Sequence, residues 1–356
     1  MKKDMIEMMN GKLQDPAAAI DYITRTRAQK KASTKYSGKK DATRILKRHP
    51  QNPLLHVKDY PGVAQIYNPS PVMYNGQTIL LVSVVDHKTE GLGRDVGQTR
   101  IARSIDGINF ELSAENFVKV PAKTYPYSSL YHFIDNRVTK IGDTYYMITP
   151  VGVRDFMGPV GVLGKTKDFK TYDCIDIITQ PPSRGTSLFP EKINGKYYKI
   201  DRPSLGGAEP GHGEMWLSSS PDLVHWGSFR PLLAPNYKFW NVNKIGPTPP
   251  IKTDEGWLVI VHGVFTPAGG TYYYIGAILL DLDDPAKIIG KTSSYLLGPE
   301  EDYERHGNCD NTVFPCGAIA NYETDKLRLY YGACDSCICL ATGSLSEVVN
   351  ACIEEI

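Results

Sequence analysis

One short sequence unit recurs five times along the 356-residue chain and constrains its fold more than any other feature. Each copy joins a tight turn, built around Asn-Gly, Gly-Asp or a similar dipeptide, to a strand of aromatic and aliphatic residues. The copies begin roughly 50 to 70 residues apart, which leaves enough chain for a four-stranded sheet in each repeat. The copies are YNGQTILLVSV from Tyr74, KIGDTYYMITP from Lys140, INGKYYKIDRP from Ile193, TDEGWLVIVHG from Thr253 and TDKLRLYYGAC from Thr324.

A second strand follows each copy and leads into an acidic turn, as in the segments ARSIDG, GKTKDF and SSSPDL. The shared Ser-x-Asp or Thr-x-Asp piece indicates one turn that is reused between strands. A β-sandwich also has strands at regular spacing, but it is not expected to repeat a two-strand unit five times. The sequence therefore predicts an all-β fold, a five-bladed β-propeller over residues 60–356.

Residues 1–59 differ in character and predict a partly helical N-terminal extension. The segment Asp15–Lys31 has helical composition, with Asp15 as the N-cap and Pro16 at the first helical position. Two interpretations stay open. The extension either packs as an arm on the outside of the propeller, or forms a homo-oligomer contact or a lid over a neighbouring subunit's site.

Charge and composition exclude several classes of protein. Forty basic residues against 39 acidic ones give a net charge of +1, so nothing global indicates nucleic-acid binding. No apolar run approaches the roughly 18 residues of a membrane span, and the N-terminus lacks the apolar core of a signal peptide. Cys334, Cys337 and Cys339 fit either a metal site or buried thiols. Because no second ligand pair follows at a recognisable spacing, we expect buried thiols, no metal or other cofactor, and a reducing cytoplasm.

Asp135 is the candidate general acid. It follows Tyr131, His132, Phe133 and Ile134, and this apolar company predicts a partly desolvated carboxyl group with a raised pKa, suited to proton donation. The alternative is a structural ion pair between Asp135 and Arg137.

Four basic residues come from the third and fourth repeats: Arg184, Arg202, Lys244 and His262. Strands built mainly of apolar residues rarely carry inward-facing cations unless an anion binds there and compensates their charge. Guanidinium groups match the oxygens of phosphate, so the set predicts a phosphate site. Asn68 and Asp335 are short polar side chains of the kind that hold sugar hydroxyls. Tyr272, Tyr273 and Tyr274 alternate between the two faces of a strand, and any of them could line a pocket.

Taken together, these residues resemble glycoside hydrolase family 130, the β-mannoside phosphorylases and related mannosidases. The resemblance runs from about Arg48 to Asn350. Its most specific stretches are IDNRVTKIGDTYY, SLFPEKINGKYY, DRPS with WLSSSPDLVHWG, KIGPTPPIKTDEGWLVIVHGV and VFPCGAIANYETDKLRLYYGACDS.

The resemblance implies a mechanism as well as a fold. It implies an inverting enzyme in which Asp135 is the acid and its proton reaches the glycosidic oxygen through the mannose 3-hydroxyl. It further implies phosphate bound by Arg184, Arg202, Lys244 and His262, and mannose bound by Asn68, Asp335 and a tyrosine near Tyr273. Phosphate would be the co-substrate and a short oligosaccharide the partner, giving α-mannose 1-phosphate and a shortened sugar.

Two other functions stay open. One is a β-mannosidase that uses water, with Asp201 or Glu191 as the base, since an inverting hydrolase needs a second carboxylate. The other is a catalytically silent sugar-binding propeller. The four matched basic residues favour phosphorolysis, because phosphate is already an anionic nucleophile that needs only to be held in line.

Three positions depart from the family's pattern. Asn136 and Asp201 stand where proline and histidine are usual, and Ser83 stands where many members have an arginine in the first blade. Arg94, in the loop GLGRDVG, is a candidate replacement for that arginine. These differences leave the subfamily open, and with it the mannosidic linkage and the acceptor sugar.

Overall fold

The structure is a computed structural model that describes residues 42–88, 96–121, 123–156, 158–205, 212–235 and 240–353. Five sheets are arranged as the five blades of a β-propeller, which confirms the fold predicted from the repeat. The predicted helix over Asp15–Lys31 and the candidate Arg94 lie outside the described residues.

Two short strands begin the described chain, β1 (Lys47–Arg48) and β2 (Leu55–His56), and a 3-10 helix spans Val57–Asp59. Blade one follows as a meander of four antiparallel strands. These are β3 (Val63–Tyr74), β4 (Gln77–Asp86), β5 (Gln98–Ser104) and β6 (Glu111–Asn116).

Blades two and three are built in the same way, each with its innermost strand first in the chain. Blade two contains β7 (Leu130–Tyr131), β8 (Arg137–Ile141), β9 (Thr144–Val153), β10 (Val160–Thr166) and β11 (Asp173–Ile177). Blade three contains β12 (Ser187–Leu188) and β13 (Tyr197–Asp201). The chain then forms β14 (Ser204–Leu205) and β15 (His212–Gly213) before it completes blade three with β16 (Met215–Ser220) and β17 (Gly227–Leu233).

Blade four includes β14 and β15, because β15 pairs in parallel with the first strand of that blade. Its other strands are β18 (Lys244–Pro247), β19 (Ile251–Lys252), β20 (Trp257–Phe265), β21 (Tyr272–Leu280) and β22 (Ile288–Lys291). A short helix, α1 (Asp302–Arg305), leads into blade five. That blade has β23 (Val313–Pro315), β24 (Ile319–Asn321), β25 (Lys326–Ala333) and β26 (Cys337–Ser344), and helix α2 (Leu345–Ile353) ends the described chain.

Both ends of the described chain meet in blade five. Strands β1 and β2 pair antiparallel with β26, with Arg48 opposite Ala341 and Leu55 opposite Ile338. The structure thus places in blade five two strands that the sequence analysis assigns to the N-terminal extension. The partly buried side chain of Arg48 reinforces this closure by an ion pair with Glu304, which is fully buried.

The acidic turn seen in the sequence is one structural motif in blades one to three. Each time, a hydroxyl and a carboxylate two residues later accept hydrogen bonds from the following backbone N–H groups. The pairs are Ser104 with Asp106, Thr166 with Asp168, and Ser220 with Asp222. The side chains therefore satisfy the turn's backbone donors locally, which is why the same short pattern recurs in the sequence.

The core is divided among the junctions between blades. Among the described residues, four junctions each contain a cluster of at least 11 buried apolar residues, whereas the cluster at the junction of blades two and three contains five. These five are Ile148, Leu163, Ile178, Leu188 and Leu223. Apolar packing is thus weakest at the junction of blades two and three.

Candidate active site

A cavity of about 440 Å³ opens where the five blades converge, and every blade contributes a polar side chain to its wall. We call it the central cavity. Blade one supplies Asn68, blade two Asp135, blade three Arg184 and Arg202, blade four Lys244, His262 and Tyr273, and blade five Asp335. The structure thus brings together all eight residues that the sequence analysis names for the site.

Asp135 lines the cavity just before β8, and it is almost fully buried. Its Oδ2 accepts hydrogen bonds from Nε and Nη2 of Arg184, at 2.9 and 2.7 Å, and its Oδ1 accepts one from Nδ2 of Asn68 at 2.6 Å. The backbone N–H of Asp135 donates to Oγ of Ser83 at 2.9 Å. The backbone and carboxylate of Asp135 are therefore held by residues from blades one and three.

Arg184, and not Arg137, is the ion-pair partner of Asp135. The guanidinium of Arg137 donates instead to the backbone carbonyl of Asp135. Burial raises the pKa of Asp135, but the charges of Arg184 and Arg137 and the hydrogen bond from Asn68 outweigh it and lower the pKa to about 2. The prediction of a raised pKa for Asp135 is therefore wrong for the free protein, because apolar sequence neighbours do not reveal a cation from another blade.

Three polar residues of the cavity wall share an unusual backbone conformation. Asn68, Asp135 and Asp335 all have positive φ, at 49°, 53° and 50°. This left-handed region is costly for most side chains and is tolerated best by asparagine, aspartate and glycine. Such conformations cluster at functional sites, where the surrounding structure holds them in place.

Asp335 is the second carboxyl group of the cavity and differs from Asp135 in its electrostatics. Burial and the nearby charge of Asp135 raise its pKa to about 7, although Arg184 opposes the shift. The pKa values of the two carboxyl groups are thus driven apart, with Asp135 ionised and Asp335 partly protonated near neutral pH.

Arg202 and Lys244 are cations without a carboxylate partner in the described residues. Nε of Arg202 donates to the backbone carbonyl of Arg184 at 3.0 Å, and Nζ of Lys244 lies over the ring of Tyr273, 5.2 Å from its centroid. Burial and the neighbouring arginines lower the pKa of Arg202 to about 10 and that of Lys244 to about 8. Mutual repulsion of this kind is relieved when an anion binds between the charges.

His262 is fully buried and neutral. Burial, Arg202, Arg137 and other nearby cations lower its pKa well below the usual value, so the prediction that it is a cation is wrong for the free protein. Neither ring nitrogen has a hydrogen-bond partner among the described residues. The ring fits because position 246 is glycine, where a Cβ would lie 2.3 Å from Cε1 of His262.

The structure distinguishes among the three consecutive tyrosines of β21. Tyr273 lines the cavity, and its ring lies 6.0 Å from that of Phe314 and 6.4 Å from that of His262. Tyr272 and Tyr274 are on the other face of the strand, where their rings stack on each other. Burial raises the pKa of Tyr273 to about 12, so its hydroxyl stays protonated and can donate a hydrogen bond.

Comparison with known proteins places this geometry in a family. The model of Glyco_hydro_130, described as beta-1,4-mannooligosaccharide phosphorylase, matches residues 36–354. The chain belongs to glycoside hydrolase family 130. Since the relatives that it matches are named phosphorylases, it is an enzyme of the glycoside phosphorylase class.

Several relatives of this family 130 enzyme are named mannooligosaccharide or mannobiose phosphorylases. A beta-1,4-mannooligosaccharide phosphorylase of Ruminococcus albus is 32% identical over 87% of this chain and 91% of its own length. A beta-1,2-mannobiose phosphorylase of Listeria innocua is 39% identical over 70% of this chain and 67% of its own. The solved complex of the Listeria innocua beta-1,2-mannobiose phosphorylase with beta-1,2-mannobiose has a TM-score of 0.76 at 31% identity. It covers 87% of this chain and 99% of that one.

The two carboxylates weighed as hydrolytic bases lie outside the wall of the central cavity. Asp201 is buried in an ion pair with Lys199 and accepts further hydrogen bonds from Thr186 and Ser218. Glu191 pairs with Lys252 on the surface. Neither side chain belongs to the lining of the cavity.

Sequence reasoning missed several residues that support the site. Asn136, flagged only as a departure from the family pattern, is fully buried and bridges Thr99 of blade one and Thr149 of blade two. Ser83, also flagged, accepts the hydrogen bond from Asp135. Phe314 covers one side of His262, with the ring centroids 4.3 Å apart, and nothing in its local sequence indicates this.

The structure tests the prediction made for the three clustered cysteines. Cys334, Cys337 and Cys339 are buried thiols, as predicted. Over the described ranges, no group of histidine, cysteine, aspartate or glutamate side chains could hold a metal ion. Among the helices of the same ranges, none is long and apolar enough to cross a bilayer.

Proposed function

We propose that this enzyme cleaves a short β-mannoside with inorganic phosphate and releases α-mannose 1-phosphate and a shortened sugar. The observation that carries the proposal is a pair of cations, Arg202 and Lys244, that have no carboxylate partner among the described residues and line the cavity that also contains Asp135. Three cations, Arg184 included, face two carboxyl groups there, and one of the two is partly protonated at neutral pH. That excess of positive charge suits phosphate better than water as the second substrate.

In the proposed reaction, Asp135 supplies the proton and phosphate supplies the nucleophile. A phosphate oxygen bonds to the anomeric carbon as the bond from that carbon to the glycosidic oxygen breaks, and configuration inverts. The leaving oxygen takes the proton of Asp135, relayed through the mannose 3-hydroxyl, and solvent returns a proton to Asp135. Asn68, Tyr273 and Asp335 bind the mannose, and neutral His262 donates one N–H to phosphate.

The low pKa of Asp135 in the free protein implies that Arg184 controls when Asp135 becomes protonated. Arg184 opposes the effect of burial and keeps Asp135 ionised while the site is empty. When phosphate enters, its oxygens compete for the same guanidinium group. As Arg184 shifts toward phosphate, burial dominates, the pKa of Asp135 rises, and the carboxyl group takes up the proton that it later donates.

Hydrolysis has less support because neither proposed base is available. Asp201 is held by Lys199, Thr186 and Ser218, and Glu191 is a surface residue paired with Lys252. An inverting hydrolase needs a carboxylate that activates water on the far side of the sugar.

The test is to incubate the enzyme with β-1,2- and β-1,4-mannobiose and with mannosyl-glucose, each with and without phosphate. We expect mannose 1-phosphate to form only when phosphate is present, and the preferred disaccharide to define the linkage. Free mannose at equal rates with and without phosphate would establish hydrolysis instead. Absence of both products from every sugar would indicate a silent sugar-binding protein.

A further inference from the structure

A second cavity, of about 640 Å³, lies between blades two and three. We call it the side groove. Its wall includes Gln180, Ser183, Lys199, Trp216, Trp226 and Phe229. The groove lies at the junction of blades two and three, whose described buried apolar cluster has only five residues, so apolar side chains fill less of the space between these two blades.

Three aromatic side chains give the side groove a surface suited to sugar rings. Trp216 and Trp226 are partly buried, and Phe229 is 61% exposed although it is a large apolar residue on a strand. The indole N–H of Trp216 donates to Glu214 and that of Trp226 to the carbonyl of Leu223, which fixes both rings. Flat aromatic rings among polar groups are typical of sites that bind amphipathic ligands such as sugars.

Ser183 provides an independent indication of a polar ligand. Its side chain is 4% exposed and lines the groove, and its Oγ has no hydrogen-bond partner among the described residues. A buried hydroxyl without a partner is costly, and a ligand hydroxyl that reaches it removes the cost.

The charges of the side groove are balanced. Lys199 and Asp201 pair with each other inside the wall, and His225 at the rim contacts the carboxylate of Asp222. A groove whose ionised groups are already matched favours an uncharged ligand over a phosphate or a nucleic acid.

The side groove is connected through the chain to the central cavity. Ser183 and Pro203, which form a β-bridge, line the groove, and the residues that follow Ser183 and precede Pro203 are Arg184 and Arg202 of the central cavity. The two groove residues Ser183 and Pro203 are therefore direct chain neighbours of two residues that line the central cavity.

We propose that the side groove is a second carbohydrate site, which binds the chain of a neutral β-mannooligosaccharide and retains long substrates near the central cavity. The proposal rests on the proposed function for the class of sugar, but the site itself does not require turnover. It predicts that long and short substrates respond differently to changes in the groove.

Tryptophan fluorescence tests the site directly. Trp216 and Trp226 line the groove, whereas Trp240 and Trp257 are only 1% exposed and none of the four lines the central cavity. We expect β-1,2- or β-1,4-mannotetraose, added without phosphate, to change the emission saturably. Phe229→Ala should weaken this binding by about tenfold, the scale of one lost aromatic contact. Tyr322→Ala, which removes another exposed ring, should leave it unchanged.

Kinetics separates this site from the catalytic one. With phosphate, Phe229→Ala should raise KM for mannotetraose about tenfold and leave kcat/KM for mannobiose within twofold of wild type. A fluorescence change without any phosphorolysis would sink the proposed function and keep the groove site. Phosphorolysis of mannotetraose with no fluorescence change, or equal losses on both substrates, would overturn the groove site. A dimer that dissociates on Phe229→Glu, without a sugar-dependent signal, would overturn it too, because the groove would then be a subunit contact.

Discussion

Asp201 and Arg202 are adjacent in the chain, but their side chains belong to two different buried clusters of charge. On one side, Asp201 is paired with Lys199 and accepts hydrogen bonds from Thr186 and Ser218. On the other side, Arg202 lies with Lys244 in the central cavity, and neither has a carboxylate partner in the part of the chain that the structure describes. We call the first group, Asp201 with Lys199, Thr186 and Ser218, the closed cluster, because its charges are matched. We call the pair of Arg202 and Lys244 the open cluster, because its positive charges have no counter-charge among the described residues.

The difference separates charges that stabilise the fold from charges that serve binding. A buried charge is tolerated when its counter-charge and hydrogen bonds come with it, as for Asp201. An uncompensated buried cation is costly, and the cost is recovered only when an anion arrives. We therefore propose that the closed cluster stabilises the fold and that the open cluster binds phosphate.

Asp135→Asn should give the largest effect. It removes the proposed proton donor but keeps the shape of the side chain, so kcat should fall by at least about a hundredfold, within the usual range of general acid catalysis. Initial rates of mannose 1-phosphate formation measure this, with circular dichroism and thermal unfolding as controls for the fold. A variant that keeps more than about a hundredth of the activity would show that another group donates the proton.

Asp201→Asn tests the closed cluster. It leaves the buried ammonium of Lys199 without a counter-charge, so the free energy of unfolding should fall by about 3–5 kcal/mol. Denaturant unfolding measures the loss, and kcat per folded molecule should stay close to wild type. Glu191→Gln is the matched control, since it breaks an exposed pair with Lys252 and should cost at most about 1 kcal/mol. A stable Asp201→Asn protein without activity would instead identify Asp201 as a catalytic base.

Lys244→Ala tests the open cluster. We expect KM for phosphate to rise by roughly 10- to 100-fold, the scale of one lost charge-assisted hydrogen bond, with KM for the sugar changed much less. Steady-state kinetics with each substrate varied in turn gives both values. Lys252→Ala, a change at an exposed lysine, is the control. Equal losses for phosphate and sugar would mean that Lys244 does not bind phosphate.

The pH dependence of kcat/KM for phosphate is a second test of whether Lys244 binds phosphate. Burial and the neighbouring arginines lower the pKa of Lys244 to about 8. The ammonium is charged below that pH and neutral above it, so kcat/KM for phosphate should fall as pH rises through about 8. In Lys244→Arg the guanidinium stays charged, and this alkaline limb should move to higher pH. An unchanged limb in the variant would assign it to another group.

Ser83→Ala should give the smallest effect. The hydroxyl of Ser83 accepts the hydrogen bond from the backbone of Asp135, and its loss should cost about 1 kcal/mol, or roughly fivefold in kcat. Comparison of KM with kcat identifies its role, since a residue that only orients Asp135 should change kcat alone. A larger rise in KM for the sugar would instead indicate that Ser83 shapes the binding site.

The fold could be predicted because the sequence repeats one structural unit five times. Five copies of one turn and strand specify five similar sheets, and the acidic turn satisfies its own backbone, so each copy is locally consistent. That the eight named site residues line one cavity was also predictable, since polar and charged side chains stand out within apolar strands. Blade closure was not, because the pairing of β1 and β2 with β26 joins segments almost 300 residues apart that carry no local sign of it.

Charge states within the site could not be predicted from the sequence. The apolar neighbours of Asp135 indicate burial correctly, but the low pKa depends on Arg184, which lies 49 residues away in the chain. The sequence predicts a charged His262, yet burial, together with nearby cations of blades two, three and four, lowers its pKa and leaves it neutral. Such shifts depend on distances between blades, which only the assembled propeller defines.

The most direct test of the open cluster is calorimetric titration of inorganic phosphate into the enzyme without sugar. Saturable binding to the wild-type protein, weakened by Arg202→Ala but not by Lys252→Ala, is the result that the account predicts. Phosphorolysis that proceeds while phosphate binds both variants as tightly as wild type would contradict it, because the uncompensated cations of the central cavity would then have no part in holding the nucleophile.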